Sequence, residues 1–282
     1  SLFSFNRKFA LILSVDMNMQ RTIPYTLNIG GQLLSLERPL VMGILNATKE
    51  SFYEKSRTPS ADAIVCRAHE MLSEGVAILD VGGCSTQPGL PPVSEAEEME
   101  RLAIALSALR DALPEAVLSV DTFRASVAER CVREFGVQII NDVSGGEADE
   151  HMFATVADLQ VPYVLTSTKA PWNDLMYDLA ERINQLHLIG VNDVRVDPGF
   201  GFGKTLDENY RLMAHLEELH QLACPVLVGV SRKSMIYKLL GSTPEEALNG
   251  TTALHTIALL KGANILRVHD VKEAVESIKI VQ

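Results

Sequence analysis

The chain has 282 residues, 47% of them hydrophobic and 22% charged, with a formal net charge of −11. That balance is too apolar for a disordered chain and too acidic for a nucleic-acid partner, which normally wants a basic face. No segment reaches the ~20 apolar residues of a membrane span, although a local cluster of cations can still serve a small anionic substrate.

In chain order, Arg7-Lys8 ahead of the apolar run Phe9–Val15 faintly resembles a secretion signal. The run is short and ends in Asp16-Met17-Asn18 with no small-residue cleavage site, so residues 1–21 read as a leader and 22–282 as one domain. Cys66, Cys84, Cys131 and Cys224 form no CxxC pair, which suits free thiols in a reducing cytoplasm. Thr22–Ile29, Gly30-Gly31 and Gln32–Leu36 predict a β-hairpin. Eight strand–helix units follow, with strands over Leu40–Asn46, Ala77–Gly82, Val117–Thr122, Gln138–Val143, Tyr163–Thr168, Asp193–Asp197, Val226–Val230 and Asn264–His269. The intervening amphipathic stretches predict helices over Ala61–Ser73, Glu95–Leu113, Arg124–Phe135, Asp149–Leu159, Leu175–Leu186, Asp207–Leu222, Pro244–Leu260 and Val271–Ile280.

The strands are continuous apolar runs, as expected of parallel strands covered on both faces. Eight units without a long linker favour an α/β fold of the (β/α)8 TIM-barrel type, its hairpin capping the bottom, over an open doubly wound sheet.

Polar residues end seven of the eight strands: Asn46, Asp80, Asp121, Asn141-Asp142, Asp197, Ser231-Arg232-Lys233, and Arg267 with His269. One Asp after a strand is as readily a cap or turn residue, but in such a barrel these ends converge on the mouth where active sites are built. The carboxylates and amide suit a heterocycle with adjacent N–H donors, and Lys233, Arg267 and His269 suit phosphate oxygens. In Asp197–Lys204 the glycines permit either close backbone approach to a ligand or a mobile loop, and Phe200 and Phe202 either shield a flat ring or pack the loop down.

Leu45-Asn46-Ala47-Thr48, Leu79-Asp80-Val81-Gly82-Gly83, Ser85-Thr86 with Pro88-Gly89, Ser119-Val120-Asp121-Thr122 and Ile139-Ile140-Asn141-Asp142 resemble the dihydropteroate synthase family in that order. So do Asp197–Lys204, Ser231-Arg232-Lys233-Ser234 and Arg267-Val268-His269-Asp270, and the resemblance spans the whole barrel. It implies condensation of 6-hydroxymethyl-7,8-dihydropterin pyrophosphate with 4-aminobenzoate, giving dihydropteroate and pyrophosphate. It further implies that Asp80, Asp121, Asn141, Asp197 and Lys233 hold the pterin, and that Asn46, Arg267 and His269 hold the pyrophosphate. Thr86, Gln87, Pro88 and Ser234 are then expected to meet the aminobenzoate, and Asn46 and Glu54 to bind Mg2+. Asp121, Lys233, Arg267 and His269 form the implied catalytic set. A homodimer, sulfonamide binding at the aminobenzoate site and the absence of nucleic-acid or membrane partners complete the expectation.

Three departures stand out. Asn46–Ser56 lacks the family's Pro and Gly pair, with Glu50 and Glu54 at its acidic positions. Gln87 replaces an arginine, and Thr166-Ser167-Thr168 replaces Met-His-Met. Loss of that guanidinium removes a charge-assisted bond of about 1.5–3 kcal/mol. A pterin-binding paralogue with weak or no synthase activity is therefore the alternative. A methyltransferase on a related barrel ranks below it, because methyl transfer needs no pyrophosphate site.

Overall fold

A strand buried on both faces must return to its own end through a covering segment, and here nearly every return is a helix. The computed structural model describes residues 25–47, 61–84 and 93–282. The expected leader, Thr22–Pro24, and the segments 48–60 and 85–92 lie outside these. Strands β1 (Thr26–Ile29) and β2 (Gln32–Ser35) pair antiparallel across Gly30-Gly31, both glycines at positive φ.

Strands β3 (Leu40–Asn46), β4 (Ile78–Gly82), β5 (Leu118–Asp121), β6 (Ile139–Asp142), β7 (Tyr163–Thr166) and β8 (Val194–Asp197) pair in sequence order, all parallel. On the other side β3 pairs with β10 (Ile265–Val268), which pairs with β9 (Leu227–Val228). A parallel bridge between Val196 and Val226 joins β8 to the start of β9 and closes the ring. The eight-stranded barrel, not the open sheet, is the architecture.

Around it lie α1 (Ala61–Glu74), α2 (Glu95–Ala112), α3 (Ala125–Phe135), α4 (Met152–Leu159), α5 (Trp172–Leu188), α6 (Leu206–Ala214), α7 (Ser234–Leu240), α8 (Leu248–Leu260) and α9 (Val271–Val281). The single helix expected over 207–222 breaks at His215 into α6 and a 3-10 turn, Leu216–Leu222. No Pro or Gly causes this. His215 stacks on Trp172 at 5.5 Å and bonds Glu218 at 2.6 Å, tertiary contacts that periodicity does not encode. The helix expected to begin at Pro244 begins at Leu248. A separate helix, α7, precedes it and ends on Gly241 at φ 64°.

Pleating sorts the apolar residues into two layers. Met42, Ile78, Ile139, Val164, Leu227 and Ile265 form a core with Leu27 and Leu36 at the hairpin end. These residues stand near the strand starts, so the hairpin plugs the bottom as expected. Asn28 N–H donates to Asp193 Oδ2 at 2.8 Å and holds it there. The alternate residues, including Val41, Leu79, Val120, Ile140, Leu165, Val196 and Leu266, face the helices. Both faces are thus largely apolar low in the barrel, with Ser119 and Arg195 the buried exceptions, the arginine paired with Asp193.

Leu27 is fully buried in that plug. Leu27→Ala is expected to destabilise the fold by about 2–5 kcal/mol, the range for a cavity in a packed core. It should lower the urea midpoint with an unchanged slope; a loss under about 1 kcal/mol would mean the hairpin is peripheral.

Candidate functional site

Nearer the strand ends, the inward positions form a polar layer. They are Asp80 on β4, Asp121 on β5, Asn141 on β6, Thr166 on β7, Asp197 on β8 and Arg267 on β10. Arg267 ties this layer together. Its Nε donates to Asp80 Oδ2 at 2.7 Å and its Nη2 to Asp121 Oδ2 at 2.5 Å. Asn141 Nδ2 donates to the same Asp80 oxygen at 2.9 Å.

Asp80 is wholly buried and orients Arg267 and Asn141 through these bonds. Its Oδ1 is buried without a hydrogen-bond partner among the described residues. Burial pushes the Asp121 carboxyl up to about 7 despite the neighbouring Arg267, with Asp80, Asp142 and Glu98 adding to the rise. The two carboxylates in turn raise the Arg267 guanidinium above its ordinary value, outweighing its own desolvation.

Asp142, next to Asn141, faces the other way. It accepts from Ser144, from Gly146 N–H and from the Tyr163 hydroxyl at 2.7–2.8 Å, and so anchors the β6 loop.

On the opposite wall, Asp197 Oδ1 accepts from Gly199 N–H at 2.8 Å. Burial raises its pKa against the pull of Lys233, while burial lowers Lys233 to about 8. Lys233 donates to the Phe200 carbonyl and stands 4.5 Å from the centre of the Phe202 ring. Gly201 is at φ 83°, and a Cβ there would lie 3.1 Å from Lys233 Cδ, so glycine lets the lysine lie against the loop.

The Gly-rich run is a pinned loop. Lys204 Nζ donates to the Gly199 and Ser167 carbonyls at 3.0 and 3.2 Å, and Asn209 accepts from Gly201 N–H at 2.7 Å. Its phenylalanines divide the two roles left open by sequence. Phe200 is fully buried in the outer core, while Phe202 is only partly covered and carries Lys233.

At the rim, Ser231 Oγ accepts from His269 N–H at 3.2 Å and lies 3.0 Å from its Nδ1. Partial desolvation, then Arg267, hold the His269 pKa below its ordinary value. In this state His269 is a neutral donor rather than the cation expected from sequence. Arg232, between Ser231 and Lys233, turns away to a bidentate pair with Asp270 at 2.8 and 2.9 Å. It locks the start of α7 instead of serving the mouth.

Ser234 opens α7 and is part-buried. A Cβ built on Gly82 would lie 3.8 Å from both Asn46 Oδ1 and Asp121 Oδ2, so two oxygens flank that glycine. Glu54, Thr86, Gln87 and Pro88 lie outside the described residues. Among the described residues no group of three or more His, Cys, Asp or Glu could hold a metal ion.

Comparison with known proteins then bears on this layer. The family model described as "Pterin binding enzyme" matches residues 42–269. The dihydropteroate synthase of Clostridium beijerinckii is 39% identical over 253 residues, covering 86% of this chain and 93% of the relative. The crystal structure of 7,8-dihydropteroate synthase from Vibrio fischeri superposes with a TM-score of 0.84 at 37% identity, covering 92% of this chain and 97% of that one. Dihydropteroate synthase from Xanthomonas albilineans in complex with 7,8-dihydropteroate superposes at 0.80 with 36% identity, covering 91% and 97%.

The raised Asp121 pKa has a measurable consequence. Below pH ~4 the folded and unfolded chains both carry this proton; between ~4 and ~7 only the folded chain keeps it. Stability from this group is therefore full at the acid end and is lost as pH rises towards about 7. The Asp121 carboxyl carbon should titrate near neutrality by NMR, and Arg267→Ala should move its midpoint higher by removing the opposing cation. A midpoint near 4 in the wild type would refute this.

Proposed function

The chain belongs to the dihydropteroate synthase family of pterin-binding enzymes, and from that premise we propose that it is a dihydropteroate synthase. It condenses 6-hydroxymethyl-7,8-dihydropterin pyrophosphate with 4-aminobenzoate. The observation that carries this is the polar layer at the strand ends, Asp121 bonded to Arg267 with buried Asn141 and Asp197, faced by Lys233 on the Phe202 ring.

Asp121, Asn141 and Asp197 offer acceptors and an amide to the aminopyrimidine edge of a pterin, a pattern that rewards bidentate hydrogen bonds. Phe202 and the Lys233 stem cover a flat ring. Breaking the C–O bond to pyrophosphate leaves positive charge on the pterin methylene, which the buried carboxylates stabilise in a medium of low dielectric. Arg267 and His269 meet the departing oxygens. The arylamine nitrogen then forms the new C–N bond and loses a proton, a step that needs no strong general base.

Mg2+ belongs to the same proposal. The oxygen donors on either side of Gly82, with pyrophosphate oxygens and water, suit a hard cation that keeps much of its hydration. Asn46 would hold it, with Glu54 from the segment outside the described residues. When bound, it neutralises charge on the leaving group.

The second substrate meets Ser234 and the Thr86-Gln87-Pro88 segment, and sulfonamides would compete there. We place the enzyme in the cytoplasm, a reading supported by free thiols at Cys66, Cys84, Cys131 and Cys224. No helix among the described residues is long and apolar enough to cross a membrane. A homodimer is supported by exposed Leu206, Leu239, Leu240, Ile257 and Leu260 on α6, α7 and α8, which contact one another in series.

Purified protein with Mg2+ should release pyrophosphate only when both substrates are present, and a chelator should suppress it. Asp197→Ala should abolish turnover, whereas no release from the wild type would defeat the reading. Gln87→Arg should raise kcat/KM for 4-aminobenzoate by about tenfold or more, matching the ~1.5–3 kcal/mol of a charge-assisted bond. Sedimentation should give a dimer that Leu260→Lys converts to monomer; a wild-type monomer would remove the dimer from the proposal.

A further inference from the structure

The chain between β7 and α5 faces α6 across a cavity of about 280 Å3. None of Asp121, Asn141, Asp197, Lys233 and Arg267 lines it. Buried Leu175 and Leu212 give it apolar surface, and Trp172 with His215 gives an aromatic wall. These two rings stack at 5.5 Å with 28° between their planes. One carboxylate fixes both: Trp172 Nε1 donates to Glu218 Oε2 at 2.9 Å, and His215 Nδ1 lies 2.6 Å from Oε1. The break after α6 thus brings an imidazole to this wall.

The lining carries three cationic side chains, Lys169, Lys204 and Arg211, against one carboxylate, Glu208. In a chain of net charge −11 that is a local reversal of sign. Glu208 Oε2 is occupied at the start of α6, where it accepts from the Thr205 N–H and hydroxyl at 2.7 and 2.8 Å. Lys169 and Arg211 are held by the exposed carboxylates of Glu147 and Asp207, and such wetted pairs contribute little and give way readily to another anion. Lys204 differs. It is part-buried, it donates to the Ser167 and Gly199 carbonyls, and among the described residues no carboxylate lies within ion-pair distance of it. An ammonium has three protons, so one remains for a further acceptor. Burial lowers the Lys204 pKa to about 8, with Asp197 opposing the fall.

The volume stands at the lower edge of small-ligand sites, which run from about 300 to 1,000 Å3. It suits a compact ring system. A flat ring against the stacked pair gains aromatic contact that an aliphatic chain does not. A carboxylate meets the cations, which an uncharged ring leaves without a partner. Rings and leucines held in place before a ligand arrives lower the ordering cost of binding.

We propose that this cavity is a second small-molecule site, separate from the barrel mouth, for a flat aromatic carboxylate. The ring lies against Trp172 and His215, and the carboxylate meets Lys204, with Arg211 and Lys169 at the edge. The site stands on its own geometry and is independent of the synthase reading.

Trp172 is the one tryptophan of the chain, so its emission reports on this cavity. Benzoate, titrated into the full chain with excitation where benzoate does not absorb, should change that emission saturably. Calorimetry should return the same dissociation constant. Cyclohexanecarboxylate, which keeps the charge without the flat ring, and benzamide, which keeps the ring without the charge, should each bind about tenfold more weakly or worse, the loss of one good contact. Arg211→Glu and, separately, Lys169→Glu should weaken benzoate by a similar factor; both residues are on the surface, and the second variant guards against a folding defect in the first. No saturable change at millimolar benzoate overturns the proposal. So does heat of binding without a change in Trp172 emission, which would put benzoate in the mouth, and so does equal binding of either control or undiminished binding in both variants.

Discussion

The constraint on which the rest depends is that one guanidinium, Arg267, is shared by two carboxylates inside a closed barrel. Removing three charges from water costs several kcal/mol each unless geometry returns it. Here the fork of Arg267 reaches Asp80 with one nitrogen and Asp121 with another, and Asn141 adds a third hydrogen bond to the set. The arrangement is asymmetric. Asp80 is sealed beneath, while Asp121 keeps part of its surface towards the mouth and an elevated pKa. A buried support and a usable carboxylate are thus made from the same residue type by depth alone.

Below that layer the floor is largely apolar. Leu27 and Leu36 fill the bottom of the barrel against one inward residue from each of six strands. Strand pleat then decides the use of each neighbouring polar residue. Asn141 faces in while Asp142 braces a loop, and Ser231 and Lys233 serve the mouth while Arg232 locks α7 to Asp270.

Periodicity was therefore enough to read the barrel. Unbroken apolar strands require cover on both faces, and the polar strand ends mark where that cover stops. What periodicity could not supply were terms set by contacts distant in sequence. The break at His215 depends on Trp172, 43 positions away on another helix. The partner that Asp80 holds, Arg267, is 187 positions away. Unperturbed imidazole titrates near neutrality, but burial and then Arg267 hold the His269 pKa below that range. Glu98 and Arg124, an ion pair whose carboxylate is fully buried, gave no signal at all: an acidic residue in the first turns of a helix and an arginine before another are ordinary surface features until burial is known.

Deep in the mouth every charged group is already engaged: Arg267 with Asp80 and Asp121, Lys233 with the Phe200 carbonyl and the Phe202 face. On the synthase reading, a diphosphate entering beside Arg267 exchanges partners with the carboxylates rather than adding a bond to a free cation. Asp121, less firmly neutralised once the guanidinium turns to the anion, then faces the methylene carbon where positive charge grows. Preorganisation of this kind stabilises charge where it develops, without a separate reorganisation cost at the moment of reaction.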